Sequence, residues 1–92
     1  MPKTTIALNH EIAQIFIMKA DVLRAKTGEK YFFRARAYEQ AAEAIEKLDE
    51  SLADMYVRSW IAGMQKVEGI GNRIAHDIER ELKKRGIRRT KA

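Results

Sequence analysis

Two glycines separated by one isoleucine, Gly69 and Gly71, lie directly before a helical pattern in the stretch VEGIGNRIAHDI, residues 67–78. Glycine accepts backbone angles that are closed to other residues, and its missing side chain lets another molecule approach the backbone. The first N–H groups of a helix have no partner within the helix, and the positive end of the helix dipole lies beside them. A glycine bend that leads into a helix can therefore bind an anion such as a phosphate group.

Three neighbours of this bend bear on such a phosphate site. Ile70 should point inward and anchor the bend in the core, while Asn72 either caps the following helix or donates to a phosphate. Arg73, in the first turn of that helix, can add a charge-assisted hydrogen bond. Turns between helices often carry glycine, so the alternative is a purely structural bend.

The net charge of +5 comes from one end of the chain. Residues 1–72 contain 10 Lys and Arg against 10 Asp and Glu, whereas residues 73–92 contain 8 basic and 3 acidic residues, and 8 − 3 = +5. Concentrated positive charge indicates a polyanionic partner, with nucleic acid as the first candidate. Lys83 and Lys84 belong to this segment, although the helix dipole alone also favours basic residues at a helix end. The basic tail, residues 87–92, is alternatively a solvated terminus that binds nothing specific.

Composition excludes several classes of site. The 92 residues include no cysteine and only two histidines, His10 and His76, which lie far apart, so we expect neither disulfides nor a zinc site. No apolar run approaches the roughly 18–20 residues of a membrane span, and the N-terminus lacks a signal-peptide pattern. We therefore expect a single-domain cytoplasmic protein that neither enters a membrane nor carries an organic cofactor.

Apolar residues at helical spacing predict an all-α fold, a small bundle of four to five helices. The expected helices cover residues 9–26, 33–47, a short segment capped by Asp49, 58–65, and a last segment from Gly71 or Asn72 to just before Gly86. We expect Asn9 to be the N-cap of the first helix and Gly28 its C-terminal stop. The helical domain spans 9–86, between a flexible N-terminus, 1–8, and the basic tail.

Helical spacing also predicts which side chains face the core. The aromatic and apolar residues assigned to it in this way include Val22, Phe32, Tyr38 and Trp60. We expect the Tyr38 hydroxyl to reach the surface. Ile17 and Met18 widen the apolar face of the first helix, which predicts that it is covered on more than one side. Exposure of these two residues would instead indicate a protein-interaction surface.

A second motif lies upstream of the bend. The stretch YFFRARAYEQAAEAIEKL (31–48) follows EIAQIFIMKADVLRAKTGE and precedes VEGIGNRIAHDI. Together these segments resemble the N-terminal domain of family X DNA polymerases, the DNA polymerase beta-like class, over roughly residues 9–85. Residues 58–85 resemble a helix-hairpin-helix motif, a non-sequence-specific binder of the DNA backbone. The resemblance implies a helical domain that binds gapped or single-stranded DNA near a 5′-phosphate.

The resemblance implies roles for individual residues. Gly69 and Gly71 match the hairpin glycines, Tyr38 matches a pocket tyrosine, and Arg34 and Arg73 match basic DNA-contacting positions. The full expected DNA-binding set is Gly69, Ile70, Gly71, Asn72, Arg73, Arg34, Tyr38, Lys66, Lys83 and Lys84. The resemblance also implies a sodium or potassium ion that bridges to DNA phosphate, held by the backbone carbonyls of Gln65, Val67 and Ile70.

Some relatives of this class remove a 5′-deoxyribose phosphate with a lysine that forms a Schiff base. The position of that lysine, six residues after the second hairpin glycine, is Asp77 here, which we expect on the outer face of the last helix. A histidine that flanks the pocket is replaced by Phe33. A carboxylate cannot form an imine and would repel a phosphate, so we expect no enzyme activity. A lyase would need a relocated lysine, for which the candidates are Lys66, Lys83 and Lys84.

These observations favour a non-sequence-specific DNA-binding module of DNA repair or replication. A chain of 92 residues has no room for a polymerase catalytic domain, so we expect it to act alone or to serve a repair polymerase or nuclease. The initial Met1 favours a complete chain over an isolated domain. The alternative functions are an abasic-site lyase and a protein-interaction domain of a repair complex.

Overall fold

Four α-helices make up the part of the chain that the computed structural model describes, residues 6–87, and no strand forms within that part. They are α1 (Ala7–Arg24), α2 (Glu29–Glu46), α3 (Leu52–Gln65) and α4 (Asn72–Lys84). α1 packs mainly on α2, and α3 packs mainly on α4 across the glycine bend. The predicted all-α bundle is confirmed. The first five residues of the predicted flexible N-terminus, and the basic tail beyond Ile87, lie outside the described residues.

The core lies where the apolar faces of the four helices meet. Small side chains let α1 and α2 approach closely, and Ala13, Ala20, Ala35 and Ala41 are fully buried. Larger side chains fill the space between the helices, and the most deeply buried are Ile12, Phe16, Ile45, Leu52, Tyr56, Met64, Ile78 and Leu82. Burial of each such apolar side chain contributes about 1.5–3 kcal/mol before conformational entropy is counted, so this interior holds the hairpin in place.

Asn9 joins two helices instead of capping its own. α1 begins at Ala7 with Ile6 as its N-cap, so the predicted start and cap were wrong. The buried Asn9 side chain donates to the Glu50 carbonyl and accepts from the Leu52 amide, both at 2.9 Å. It therefore satisfies an amide at the start of α3, a role that local spacing in α1 cannot reveal.

Three other predictions about helix ends were also wrong. Gly28 is the N-cap of α2, and α1 ends before it with Ala25 as its C-cap. α2 consequently begins at Glu29, one turn earlier than predicted. Ser51, not Asp49, caps α3, because the Ser51 hydroxyl accepts from the Ala53 amide at 3.1 Å.

The predicted third and fourth helices form one interrupted element, α3. Trp60 breaks its helical geometry with φ 57° and ψ −154°. A non-glycine residue in this region costs about 1–3 kcal/mol unless its surroundings hold it there. The Trp60 indole donates to Glu79 of α4 at 3.0 Å, and the Tyr56 hydroxyl donates to the same carboxylate oxygen at 2.6 Å. These bonds fasten the break in α3 to α4.

Several apolar side chains predicted in the core lie at the surface. Phe32 and Trp60 are exposed, and so are Ile17, Met18 and Val22 on α1. The other three described helices leave this part of α1 uncovered, so the side chains that widen its apolar stripe stay exposed. The prediction that α1 is covered on more than one side was wrong.

Candidate nucleic-acid interface

Gly69 is required by the fold of the hairpin. Its φ is +96°, a backbone conformation that favours glycine. A Cβ atom there would lie 3.2 Å from the Cβ of Ala44 and 3.4 Å from the carbonyl oxygen of Gln40. The bend thus packs directly on α2. Ile70 is buried, as predicted, and its amide donates to the Val67 carbonyl at 3.0 Å, which closes the turn.

Gly71 is not required by the fold. Its φ of −88° is open to any residue, and a Cβ atom there would meet no atom within 4 Å. It is the N-cap of α4, and no side chain caps the first turn. The first intrahelical bond runs from the Ala75 amide to the Gly71 carbonyl, so the amides of Asn72, Arg73 and Ile74 precede the helical ladder. An open surface beside unpaired amides suits an anion.

Asn72 is the first residue of α4 and does not cap it. Its side-chain oxygen accepts from Gln65 Nε2 at 2.6 Å, and its carbonyl accepts from His76 Nδ1 at 2.8 Å. The Gln65 bond joins the end of α3 to the start of α4 across the bend. Asn72 therefore braces the hairpin, and His76 stays exposed on α4.

The hairpin pocket is a concave surface with a volume of about 600 Å³. We define it by its lining, which is Arg34, Ala37, Tyr38 and Gln40 of α2 together with Gln65 and residues 67–74. It brings together Arg34, Tyr38, Gly71 and Arg73, four members of the expected DNA-binding set. Arg73 is exposed, while the Nε of Arg34 is buried and has no hydrogen-bond partner among the described residues. A buried donor without a partner is costly, so an acceptor that enters the pocket would gain a strong bond.

Tyr38 and Asp77 form a buried pair, contrary to two predictions. The Tyr38 hydroxyl donates to Asp77 Oδ2 at 2.6 Å, and both residues are buried, each with 6% of its surface exposed. The hydroxyl does not reach the surface, and Asp77 does not lie on the outer face of α4. Burial, and next the hydrogen bond to Asp77, raise the pKa of Tyr38 above its ordinary value. The other Asp77 oxygen lies 3.4 Å from Arg80 Nη1.

The remaining predicted cations lie at different places. Lys66 is the C-cap of α3 and is exposed beside the bend. Lys83 and Lys84 lie at the other end of α4, about 15–17 Å from Arg73 along the helix axis at 1.5 Å per residue. There they pair with carboxylates of their own helix, Lys83 with Glu79 at 3.9 Å and Lys84 with Glu81 at 3.3 Å. They do not belong to the hairpin pocket.

Two charged residues of this region were missed by sequence reasoning. Glu68 lines the hairpin pocket and adds a negative charge to it. Lys19 of α1 places its Nζ 5.7 Å from the centre of the Tyr38 ring and lies beside Arg34. Its position between Met18 and Ala20 carries no signal of its own, because only the packing of α1 on α2 brings it there.

Side-chain metal sites and membrane-spanning helices are both absent from residues 6–87. No three His, Asp or Glu side chains lie close enough together to hold a metal ion there. No helix in that range has the length and apolar character that crossing a bilayer requires. The monovalent-cation site implied by the resemblance would use backbone carbonyl oxygens and no side chains. Gln65, Val67 and Ile70 all line the hairpin pocket, and such oxygens suit a hard cation.

A family model described as the helix-hairpin-helix domain matches residues 7–87, which include all four helices. This match does not assign the chain to a narrower class such as the family X DNA polymerases. No curated protein and no solved structure matches the chain at a significant level. Helix-hairpin-helix domains bind DNA in general, so this match indicates nucleic-acid binding. The chain belongs to the helix-hairpin-helix domain family.

Proposed function

We propose that this chain is a non-sequence-specific DNA-binding module that holds the phosphates of gapped or single-stranded DNA. The open space beside Gly71 carries this proposal. Because neither φ nor packing demands glycine there, the missing side chain leaves room for a ligand next to the α4 amides. Arg73 supplies exposed positive charge in the hairpin pocket, Lys66 supplies exposed positive charge at the C-cap of α3, and Arg34 supplies a buried donor.

The absence of sequence preference follows from the kind of group that faces the ligand. Backbone amides and guanidinium groups at the hairpin suit phosphate oxygens, which are identical at every nucleotide. The preference for gapped or single-stranded DNA, and a role in repair or replication beside a polymerase or nuclease, rest on the resemblance to family X DNA polymerases. A sodium or potassium ion on the carbonyls of Gln65, Val67 and Ile70 is part of the proposal, and it would neutralise phosphate charge when bound.

Lyase activity finds little support in this geometry. The position expected for the imine-forming lysine is the buried Asp77, whose carboxylate already accepts from Tyr38. Of the candidate replacements, Lys83 and Lys84 lie at the far end of α4. We expect no protein–DNA adduct when borohydride is added to the protein on DNA with a 5′-deoxyribose phosphate. A trapped adduct that disappears in a Lys66→Arg variant would establish the lyase alternative.

The proposal is tested by measuring affinity for gapped, single-stranded and continuous duplex DNA at several salt concentrations. If two or three phosphates are contacted, log K should fall against log salt with a slope of about −1.4 to −2.7. Replacing the DNA sequence at constant structure should leave the affinity unchanged. Affinity that does not depend on salt, or no binding at low salt, would contradict the proposal.

A further inference from the structure

An apolar pocket lies between α1 and α2, outside the hairpin pocket, with a volume of about 440 Å³. Its outer wall is formed by Met18 and Val22, one helical turn apart on α1 and 66% and 61% exposed. Ile15 and Leu23 of the same helix line its interior, and the lining is almost wholly apolar. We call it the apolar pocket. Exposed side chains of this size, grouped around a concavity, mark a binding surface.

The apolar pocket is continuous with the proposed DNA site. Arg34 and Tyr38 line both the apolar pocket and the hairpin pocket, so a ligand that contacts these two side chains can reach into both. Lys19 adds a second cation at the rim, with its Nζ 5.7 Å from the Tyr38 ring centre. Among the described residues, those that line the apolar pocket include no acidic side chain. It is therefore an apolar cavity with a basic rim that shares two lining side chains with the proposed phosphate site.

We propose that the apolar pocket binds an unpaired nucleobase of a DNA strand whose phosphate lies at the hairpin. This inference rests on the proposed DNA-binding function and extends it to a second subsite. A nucleobase is a flat, polarisable ring carried on an anionic chain, which fits an apolar cavity with a basic rim. The thioether of Met18 adapts well to an aromatic face. Because the lining offers few hydrogen-bonding groups, the pocket would accept any of the four bases.

The apolar pocket would also supply a physical basis for structure preference. A base within a continuous duplex is paired and stacked, so moving it into a side pocket costs the free energy of unpairing and unstacking. A base at a gap or in a single strand is already free. The pocket therefore adds affinity for interrupted DNA without adding sequence specificity.

Other occupants fit the apolar pocket less well. A second copy of the chain related by two-fold symmetry would bring the cations Lys19 and Arg34 of both copies to one interface, where like charges repel. An amphipathic partner helix needs a groove with anchors over two turns or more. Here the exposed apolar wall of α1 consists of two side chains one turn apart.

The test compares a pocket variant with a control on the same helix. Met18→Gln combined with Val22→Thr removes apolar surface at two exposed positions, so the fold should persist. The control is Ile17→Gln, an exposed apolar neighbour that lines a different pocket together with Glu39, Glu43 and Glu46. The probes are a gapped duplex with an unpaired 2-aminopurine at the gap and a continuous duplex of equal length, with affinity and 2-aminopurine fluorescence as readouts.

The proposal predicts about a tenfold loss of affinity for the gapped probe in the double variant, the scale expected from the apolar area removed. The fluorescence change on binding should shrink with it, while duplex affinity and the control variant stay at wild-type values. Unchanged gapped affinity would overturn the base pocket, and so would an equal loss on both probes. If the wild-type protein forms a dimer that the double variant does not form, and DNA binding is unchanged, the apolar pocket is instead the contact with a second copy of the chain. If the wild-type protein binds neither probe, the proposed function itself fails, and the base pocket fails with it.

Discussion

Tyr38 of α2 donates a 2.6 Å hydrogen bond to the carboxylate of Asp77 in α4, 39 residues along the chain. The bond joins α2, which also contains Arg34, to α4, which begins at the hairpin. It also satisfies a carboxylate that would otherwise be buried at great cost. The aspartate is therefore part of the support for the hairpin pocket and does not face an incoming phosphate.

Removing the Tyr38 hydroxyl should destabilise the protein. Tyr38→Phe leaves a buried acceptor on Asp77 without its donor, so we expect a loss of about 1–3 kcal/mol in the free energy of unfolding. Urea denaturation at neutral pH measures this. Tyr31→Phe, at a half-buried position, serves as the control and should stay within about 0.5 kcal/mol of wild type. Equal stability of the two variants would contradict a structural role for the Tyr38–Asp77 bond.

The two hairpin glycines should respond differently to alanine. Gly69→Ala places a Cβ at a positive φ and against Ala44, so we expect it to cost about 1–2 kcal/mol of stability. Gly71→Ala should fold with wild-type stability but weaken DNA binding, because the new methyl group enters the space proposed for phosphate. Urea denaturation and DNA affinity, measured on both variants, separate the two effects. A Gly71→Ala protein that binds DNA like the wild type would show that this space takes no phosphate.

Arg73→Gln should weaken binding to every DNA sequence by a similar factor. Loss of one phosphate contact reduces the slope of log K against log salt by about 1. The control is Arg58→Gln, since two 2.8 Å hydrogen bonds already pair Arg58 with Glu50. We expect that control to keep both the affinity and the slope of the wild type. Similar losses in the two variants would mean that overall charge, and not the hairpin, governs binding.

Glu79 should make the fold sensitive to acid. Hydrogen bonds from Tyr56 first, and also from Trp60, lower the pKa of this carboxyl below its ordinary value of 4.5. A lowered folded pKa means that the stabilisation is present above the ordinary value and is lost as the pH falls through the lowered one. Glu79→Gln should therefore cost about 1–2 kcal/mol at pH 7 and reduce the loss of stability below about pH 4.5.

Urea denaturation between pH 3 and pH 7 measures both effects of the Glu79 change. Glu11→Gln, which removes one exposed carboxylate from α1, controls at pH 7 for the change in net charge. A Glu79→Gln protein as stable as the wild type at pH 7 would show that the break at Trp60 does not need this carboxylate.

The sequence was informative where one local pattern decides the outcome. Apolar spacing was sufficient for the helical class, and the glycine bend followed by Arg73 was sufficient to locate the hairpin, because backbone geometry there depends on neighbouring residues. Prediction from the sequence failed where two hydrogen-bonded residues are far apart along the chain. Asn9 accepts a hydrogen bond from the Leu52 amide, 43 residues away, and Asp77 accepts one from Tyr38, 39 residues away. Exposure of Met18 and Val22 could not be foreseen either, since spacing identifies an apolar face but not whether another helix covers it.

The central claim is that phosphate meets the unpaired amides at the start of α4. The most direct measurement follows the backbone amide resonances of the protein while gapped DNA with a 5′-phosphate is added at low salt. The account predicts that the largest downfield shifts occur at the amides of Asn72, Arg73 and Ile74, and that added salt reverses them. Saturable binding that leaves these three amides unshifted would contradict it.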